Sequence, residues 1–267
     1  MPIHSTAVVD ASAEISRDAE IGPYCIVEKG VRISDGVRLI AHVYVGEGTT
    51  IEPRVVIHPF ATIGQPPQDL AFTGEPTFTR IGEETIIREH VSIHRGTMPG
   101  SITTVGRRGF LMACSHVAHN CTVGDDVKMA NGALLAGHVS VGDKAFIAGN
   151  TAIHQFVRVG ELAMISGVRV TNDVVPFMIL GPMGVVGPNV VGLRRAGMSP
   201  AERMEIREGY RTLFRSGISF RVAAEQVAGR VTTEPGRRLA AFVTAPSKRG
   251  YTPYRGRKHI ATEDAEA

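Results

Sequence analysis

An aliphatic residue recurs at every sixth position of this chain, and few folds can use such a spacing. Stepping by six from Ile3 meets Val9, Ile15, Ile21, Val27, Ile33, Leu39, Val45, Ile51, Ile57 and Ile63. The column resumes at Ile81, Ile87 and Ile93 and runs on from Val105 to Ile165. Only Asp69, Glu75 and Pro99 interrupt its 28 positions. Helix faces repeat every 3.6 residues and strand faces every 2, so a strict six asks for a short strand and a turn in every hexad.

A second column lies four residues after the first and holds small or β-branched side chains such as Ala7, Ala13, Ala19, Cys25, Val31, Ser115, Cys121, Val127 and Ala133. Glycine often follows the aliphatic directly, and Gly106, Gly124, Gly142 and Gly160 are spaced 18 apart. Three hexads per 18 residues mean three strands per coil, with a corner where glycine is expected to take a positive φ. The pattern predicts a left-handed parallel β-helix of hexapeptide repeats over 1–193, roughly eight coils and about 40 Å tall at the usual strand spacing. Aromatics are only 6% of the chain and glycines number 30, which suits a narrow interior of stacked small side chains. Residues 65–80 and 96–104 break the period with Pro, Gly and Thr and read as loop excursions.

Beyond Leu193 the period becomes helical. Ser199-Pro200-Ala201-Glu202 is a capping box with Pro at the first helical position, and the following run ends near Gly217. Further helices are expected over 219–228 and 237–244, which makes 194–250 a small helical domain and leaves 251–267 as a disordered tail. Charge is unevenly placed. The net is +3 overall, but the part from Val190 onward carries 15 Lys and Arg against 8 Asp and Glu. The overall net is too small to suggest nucleic acid by itself, and the basic C-terminal part suits an acidic protein partner. Cys25, Cys114 and Cys121 form no C-x-x-C pair, so neither a disulfide framework nor a zinc knuckle is expected, and a reducing cytoplasm fits. The N-terminus lacks the features of a signal peptide. Val174–Leu193 is uncharged over 20 residues, yet its three prolines and four glycines predict apolar strands and turns, not a membrane helix.

Histidines supply the candidate chemistry. His116, His119, His138 and His154 fall within one short stretch, each outside the two core columns, so all four are expected to face outward on neighbouring coils. A zinc hydratase would need a third ligand where Val159 stands, and HVAH is not the HExxH zinc motif, so no metal is expected. Acyl transfer fits better, because a neutral imidazole can deprotonate a nucleophile while a backbone N–H holds the oxyanion. A non-enzymatic scaffold is the competing class.

The ordered motifs Gln68-Asp69-Leu70, Gly74-Glu75-Pro76-Thr77, Ser92-Ile93-His94-Arg95-Gly96-Thr97, His116-Val117-Ala118-His119-Asn120-Cys121, Leu135-Ala136-Gly137-His138-Val139-Ser140 and His154-Gln155-Phe156 resemble the acyl-carrier-protein:UDP-N-acetylglucosamine O-acyltransferases of lipid A biosynthesis. The resemblance spans about residues 1–250. It implies a cofactor-free homotrimer with active sites in the clefts between prisms, and 3-hydroxyacyl transfer from acyl carrier protein to the 3-OH of UDP-N-acetylglucosamine. His119 would be the general base, with Asn120 standing where one member has Asp. Gly137 would donate to the oxyanion. Gln68, Asp69, His116, His138, His154 and Gln155 would hold the substrates, with Asn189 and Arg195 on the nucleotide side. Ala71 and Val191 replace a Lys and a Glu of that member near the nucleotide. Arg194, Arg203, Arg207, Arg211 and Arg215 would receive the acidic carrier. Acylation of another amino-sugar nucleotide, on O or N, is the alternative within this class.

Overall fold

The sixfold column becomes the inner wall of a three-sided prism. In the computed structural model, which describes residues 3–254, each hexad forms a strand of about two residues, the second pointing inward, and then a two-residue turn. Three parallel sheets of nine, eight and ten strands result. The first face runs from Val8–Val9 to Arg169–Val170, the second from Glu14–Ile15 to Arg158–Val159, and the third from Glu20–Ile21 to Gly184–Pro188. This is a left-handed β-helix. Its coils stack in steps of 18, as in Ile26 opposite Tyr44 and Thr122 opposite Ser140.

Both columns are buried throughout most of the prism, including Ile63, Ile93, Val117, Leu135 and Ile153 from the aliphatic column and Cys25, Cys121, Ala133 and Val139 from the small one. A buried Val, Ile or Leu contributes about 1.5–3 kcal/mol, and the repetition makes the prism rigid along its axis. Cys114 instead lies exposed at a corner, and all three cysteines are free.

The glycines do a different job from the one expected. Gly106, Gly124, Gly142 and Gly160 do not have positive φ; a Cβ on Gly106 would lie 2.5 Å from the Gly124 carbonyl carbon, and one on Gly160 would lie 2.4 Å from Pro176. Their role is to let one coil approach the next. The left-handed residue is two positions further on, at Gly30, Gly36, Gly48 and Gly132, but also at Asn120 (φ 59), His138 (φ 60) and Phe156 (φ 65). Asn and His tolerate that region better than most side chains.

Strands Thr62–Gln65, Phe78–Ile81, Ser92–His94 and Ile102–Val105 narrow the two excursions to residues 66–77 and 95–101. Both leave the prism at the corner between the first and second faces, and the register there steps by 30 from Thr62 to Ser92 and by 24 from Ser92 to His116.

The uncharged stretch after Val174 folds back as an antiparallel hairpin, Met178–Gly181 with Gly184–Pro188, that closes the third face. Four helices follow: α1 (Val190–Arg195), α2 (Pro200–Arg215), α3 (Phe220–Ala228) and α4 (Glu234–Thr244). Ser199 Oγ accepts from Glu202 N, and the Glu202 carboxylate accepts from Ser199 N. The last helix starts three residues ahead of the expected 237 because Thr233 Oγ1 caps Gly236 N. Phe177, Met178, Val185, Leu193, Ile206, Leu213 and Leu239 form a second core that joins the hairpin to the helices. No helix among the described residues is long and apolar enough to cross a membrane.

The tail expected from Tyr251 includes residues that pack against the fold. Residues 251–254 are packed, whereas 255–267 lie outside the described residues. Tyr251 pairs with Asp173 in a parallel bridge and stacks on Phe220 at 4.3 Å. Asp173 is fully buried, and its carboxylate accepts from Arg158 Nε at 2.7 Å and Arg158 N at 2.8 Å. The Arg158 guanidinium in turn lies over Phe242 of α4. Arg158→Ala leaves that carboxylate buried without its cation, a loss of about 3–5 kcal/mol. Chemical denaturation should show that loss, with proteolysis after α4 becoming faster; an unchanged midpoint would mean that the clamp is dispensable.

Candidate active site

The corner between the first and second faces carries the histidines. Coil stacking places His119, Gly137 and Gln155 in one vertical column and Asn120, His138 and Phe156 in the next. Both excursions leave this corner from the coils just below. Four outward histidines scattered in sequence thus line one edge, beside loops long enough to cover it.

Asn120 sets the chemistry of His119. Its Oδ1 accepts from Thr97 N at 3.2 Å and Thr97 Oγ1 at 2.8 Å, and it lies 2.9 Å from His119 Nδ1. A backbone N–H can only donate, so the Asn120 atom facing Thr97 N is the oxygen, and the His119 nitrogen beside that oxygen carries hydrogen. In the neutral ring Nε2 is then the bare nitrogen. It lies 3.9 Å from Asp69 Oδ2, beyond hydrogen-bond length, so its lone pair is open towards the 66–77 loop. Thr103 Oγ1 accepts from Asn120 N at 2.8 Å and holds the turn in its left-handed conformation.

Gly137 lies under the His119 ring. A Cβ there would come within 2.4 Å of His119 Cε1 and 2.5 Å of Nε2, so only glycine admits the ring in this position. Gly137 is buried, and its N–H finds no acceptor among the described residues. The equivalent N–H groups of His119 and Gln155 in this column are likewise without an acceptor among the described residues, and the one at Gly137 belongs to the residue against the His119 ring.

The other imidazoles are arranged in two groups. His138 packs edge-on against His119 at 5.3 Å and stacks on Phe156 at 4.7 Å. Partial burial, with the charge of His119 when protonated and of Lys248 adding, holds its pKa below the usual histidine value. His116 Nδ1 lies 2.7 Å from Ser92 Oγ, and burial lowers its pKa too. His94 packs edge-on against His116 at 4.8 Å; it is nearly enclosed, and burial pushes its pKa down to about 4. Both rings are therefore neutral at pH 7. His94 stands inside one of the quoted motifs, yet sequence reasoning assigned it no role, because only tertiary contact with His116 reveals its burial.

Of the remaining predicted residues, Asp69 and the exposed Gln68 lie on the 66–77 loop, where Asp69 Oδ1 accepts from Ala71 N. His154 Nδ1 lies 3.2 Å from Gln155 O, two coils above Ala118, and Gln155 is exposed. Asn189 and Arg195 are not brought to this corner. Asn189 is buried and acts as a cap: Oδ1 accepts from Gly192 N, and Nδ2 donates to Leu162 O. Arg195 and Val191 line a separate depression with Arg108, Lys144, Phe146 and Met164, on the third face and the corner before it. Within one chain the second face separates that depression from His119. Arg203, Arg207, Arg211 and Arg215 follow one another at i+4 along α2. Arg203 donates to Met198 O and Arg215 lies over Tyr254, while Arg194, Arg207 and Arg211 are exposed and make no ion pair among the described residues.

A histidine of fixed tautomer, an open Nε2 and an unused backbone N–H beside it can deprotonate a hydroxyl and hold the oxyanion of an acyl group. On a prism of hexapeptide repeats, this constellation defines an acyltransferase of the hexapeptide-repeat class. The comparisons with known proteins are specific. Residues 173–252 match the sequence profile described as UDP-N-acetylglucosamine O-acyltransferase, domain 2. Acyl-carrier-protein–UDP-N-acetylglucosamine O-acyltransferases are 48% identical over 84% of this chain and 89% of the relative in Thermodesulfovibrio yellowstonii, and 43% identical over 94% and 99% in Syntrophobacter fumaroxidans. The solved UDP-N-acetylglucosamine acyltransferase of Francisella novicida superposes with a TM-score of 0.91 at 34% identity, over 94% of each chain. The corresponding O-acyltransferase of Moraxella catarrhalis does so at 0.90 and 40%, over 94% and 99%. The chain belongs to the UDP-N-acetylglucosamine O-acyltransferase family.

Gly137→Ala tests the packing of the column. The new methyl must displace the His119 ring, and a misplacement on the order of 1 Å at a reacting group lowers turnover about 10²-fold. Because φ at Gly137 is not in the left-handed region, the thermal midpoint should stay near wild type. Near-normal turnover would mean that the ring position observed here is not the working one.

Proposed function

We propose that this enzyme transfers a 3-hydroxyacyl chain from acyl carrier protein to the 3-OH of UDP-N-acetylglucosamine, the first step of lipid A biosynthesis, with His119 as general base. The observation that carries the mechanism is the shared oxygen of Asn120, which leaves His119 Nε2 unprotonated beside a free N–H. In the first step Nε2 takes the proton of the sugar 3-OH as that oxygen attacks the thioester carbonyl. The negative charge that develops on the carbonyl oxygen is met by the Gly137 N–H. Collapse of the tetrahedral intermediate breaks the C–S bond, and the leaving carrier thiolate takes the proton back from the imidazolium. Protons and electrons balance without a cofactor.

Asp69 and Gln68 approach His119 from the loop side and suit the hydroxyls of the glucosamine ring. His138, His154 and Gln155 extend the same edge towards the donor, and His116, neutral and hydrogen-bonded to Ser92, backs it. Arg195 lies on another face, and its cationic depression suits the diphosphate of a sugar nucleotide held by a neighbouring chain. This separation supports a homotrimer in which the corner of one prism faces the third face of the next. Asn189 contributes there by shaping the start of α1. The exposed Arg194, Arg207 and Arg211 suit an acidic carrier docked on the helices, with Arg203 and Arg215 fixing the helix surface. Free cysteines fit a cytoplasmic setting.

Mass spectrometry of the product from UDP-N-acetylglucosamine and a panel of 3-hydroxyacyl carriers tests the reaction itself. His119→Ala should lower turnover by about 10² or more, while light scattering still gives three times the chain mass of 28.6 kDa. Near wild-type turnover would remove His119 from the role of base. Changing Arg207 and Arg211 to Glu should raise the donor KM and leave the sugar-nucleotide KM nearly unchanged. The effect should fade near 1 M salt, where the Debye length is about 3 Å. Equal shifts in both KM values would place the carrier elsewhere.

A further inference from the structure

The segment after α4 returns to the prism and is pinned there. Asn172 Nδ2 donates to Arg249 O at 2.6 Å, Arg249 Nε donates to Thr171 O at 3.1 Å, and Asp173 N donates to Gly250 O at 2.8 Å. Arg249 N also donates to Ser247 Oγ. These bonds hold Lys248 over the histidine corner. Its Nζ lies 4.7 Å from the centroid of the Phe156 ring, which stacks on His138, which in turn packs against His119.

Lys248 is exposed and makes neither an ion pair nor a hydrogen bond among the described residues. An ammonium held on an aromatic face gains only about 0.5–1 kcal/mol at an exposed site. Phe156 therefore places the charge without neutralising it. The ammonium keeps three donors free, in line with the groups that handle the acyl transfer. Lysine is suited to a phosphate as a compact point charge.

We propose that Lys248 binds a phosphate of the acyl donor, namely the phosphodiester that joins the pantetheine arm to its carrier. The proposal rests on the reaction assigned above. Direction decides between the two phosphate-bearing substrates. The sugar is met by Asp69 on the 66–77 loop, below His119, whereas Lys248 stands roughly two coils above it at about 4.8 Å per coil. That upper side is also the side of α2 and its exposed arginines. A donor whose carrier sits on α2 and whose thioester reaches Gly137 must pass its arm over Lys248.

The test compares Lys248→Glu, Lys248→Gln and Lys248→Arg on three donors with the same 3-hydroxyacyl group: the acyl carrier protein, acyl-phosphopantetheine and acyl-pantetheine. With the first two, Lys248→Glu should raise the donor KM by about tenfold, the scale of one lost hydrogen bond to a charged group. Lys248→Gln should raise it less, and Lys248→Arg should restore most of the affinity. With acyl-pantetheine, which lacks the phosphate, all three variants should match the wild type within about twofold, because no phosphate–lysine contact remains to be lost. The KM for UDP-N-acetylglucosamine should not move with any donor. The inference is overturned if that nucleotide KM rises instead, if the acyl-pantetheine KM rises equally, or if no KM changes. Those outcomes differ from failure of the proposed reaction, in which the wild type itself would make no acylated sugar nucleotide from any donor.

Discussion

Backbone hydrogen bonds between coils, repeated in steps of 18, are what every functional contact here depends on. They bring His119, Gly137 and Gln155 into one column, and Asn120, His138 and Phe156 into the next, although each neighbour is a full coil away along the chain. The same stacking sets the tolerances. A Cβ on Gly137 would overlap His119, and one on Gly106 would overlap the next coil, so glycine is required at both for closeness and not for freedom of φ. At Gly137 the side chain of His119 can shift, but at Gly106 the overlap is with backbone, and a prism built from identical steps has little slack with which to absorb it.

Asn120 orients His119 but brings no charge to the site. Three donors converge on one amide oxygen, and the Thr97 backbone N–H, which can only donate, identifies that atom as oxygen. The imidazole is therefore oriented as a carboxylate would orient it, with hydrogen on Nδ1. What is missing is negative charge, which would otherwise stabilise the imidazolium formed during proton transfer. Asp69 is the nearest anion on the open side, 3.9 Å from Nε2. On the proposed mechanism its carboxylate can share that task.

Charge is sorted along the molecule. The lower and middle coils carry corner ion pairs such as Arg107 with Asp125, Arg108 with Asp126 and Arg54 with Glu83 and Glu84, which cancel locally. The helical end instead exposes arginines without partners among the described residues, and Lys248 continues this positive surface to the histidine corner. A surface of net positive charge at the end where a large anionic donor would arrive favours fast, salt-sensitive association. The depression around Arg195 is positive as well, but it opens on a different face. A chain whose two basic regions face different directions is suited to sites completed by a second copy.

The prism was legible in the sequence because a period of six leaves little choice: each aliphatic must point inward, and each interruption must leave as a loop. The capping box of α2 was equally readable, since Ser199 and Glu202 satisfy each other within one turn. Histidines outside the core columns had to face outward, and their spacing placed them on adjacent coils. Local pattern could not supply the relations that cross between elements. Thr97 reaches Asn120 from an excursion, His94 is enclosed by His116, Asn189 is spent on a helix cap, and Tyr251 is held by a clamp from Arg158. The positive φ was expected at the periodic glycines, but the chain places it at Asn120 and His138, because the corner residue is set by the pitch of the stack. Sequence determined which residues repeat and therefore which face in. Tertiary structure alone decided which polar atoms meet, because a hydrogen bond depends on distances of tenths of an ångström between segments the chain brings together only on folding.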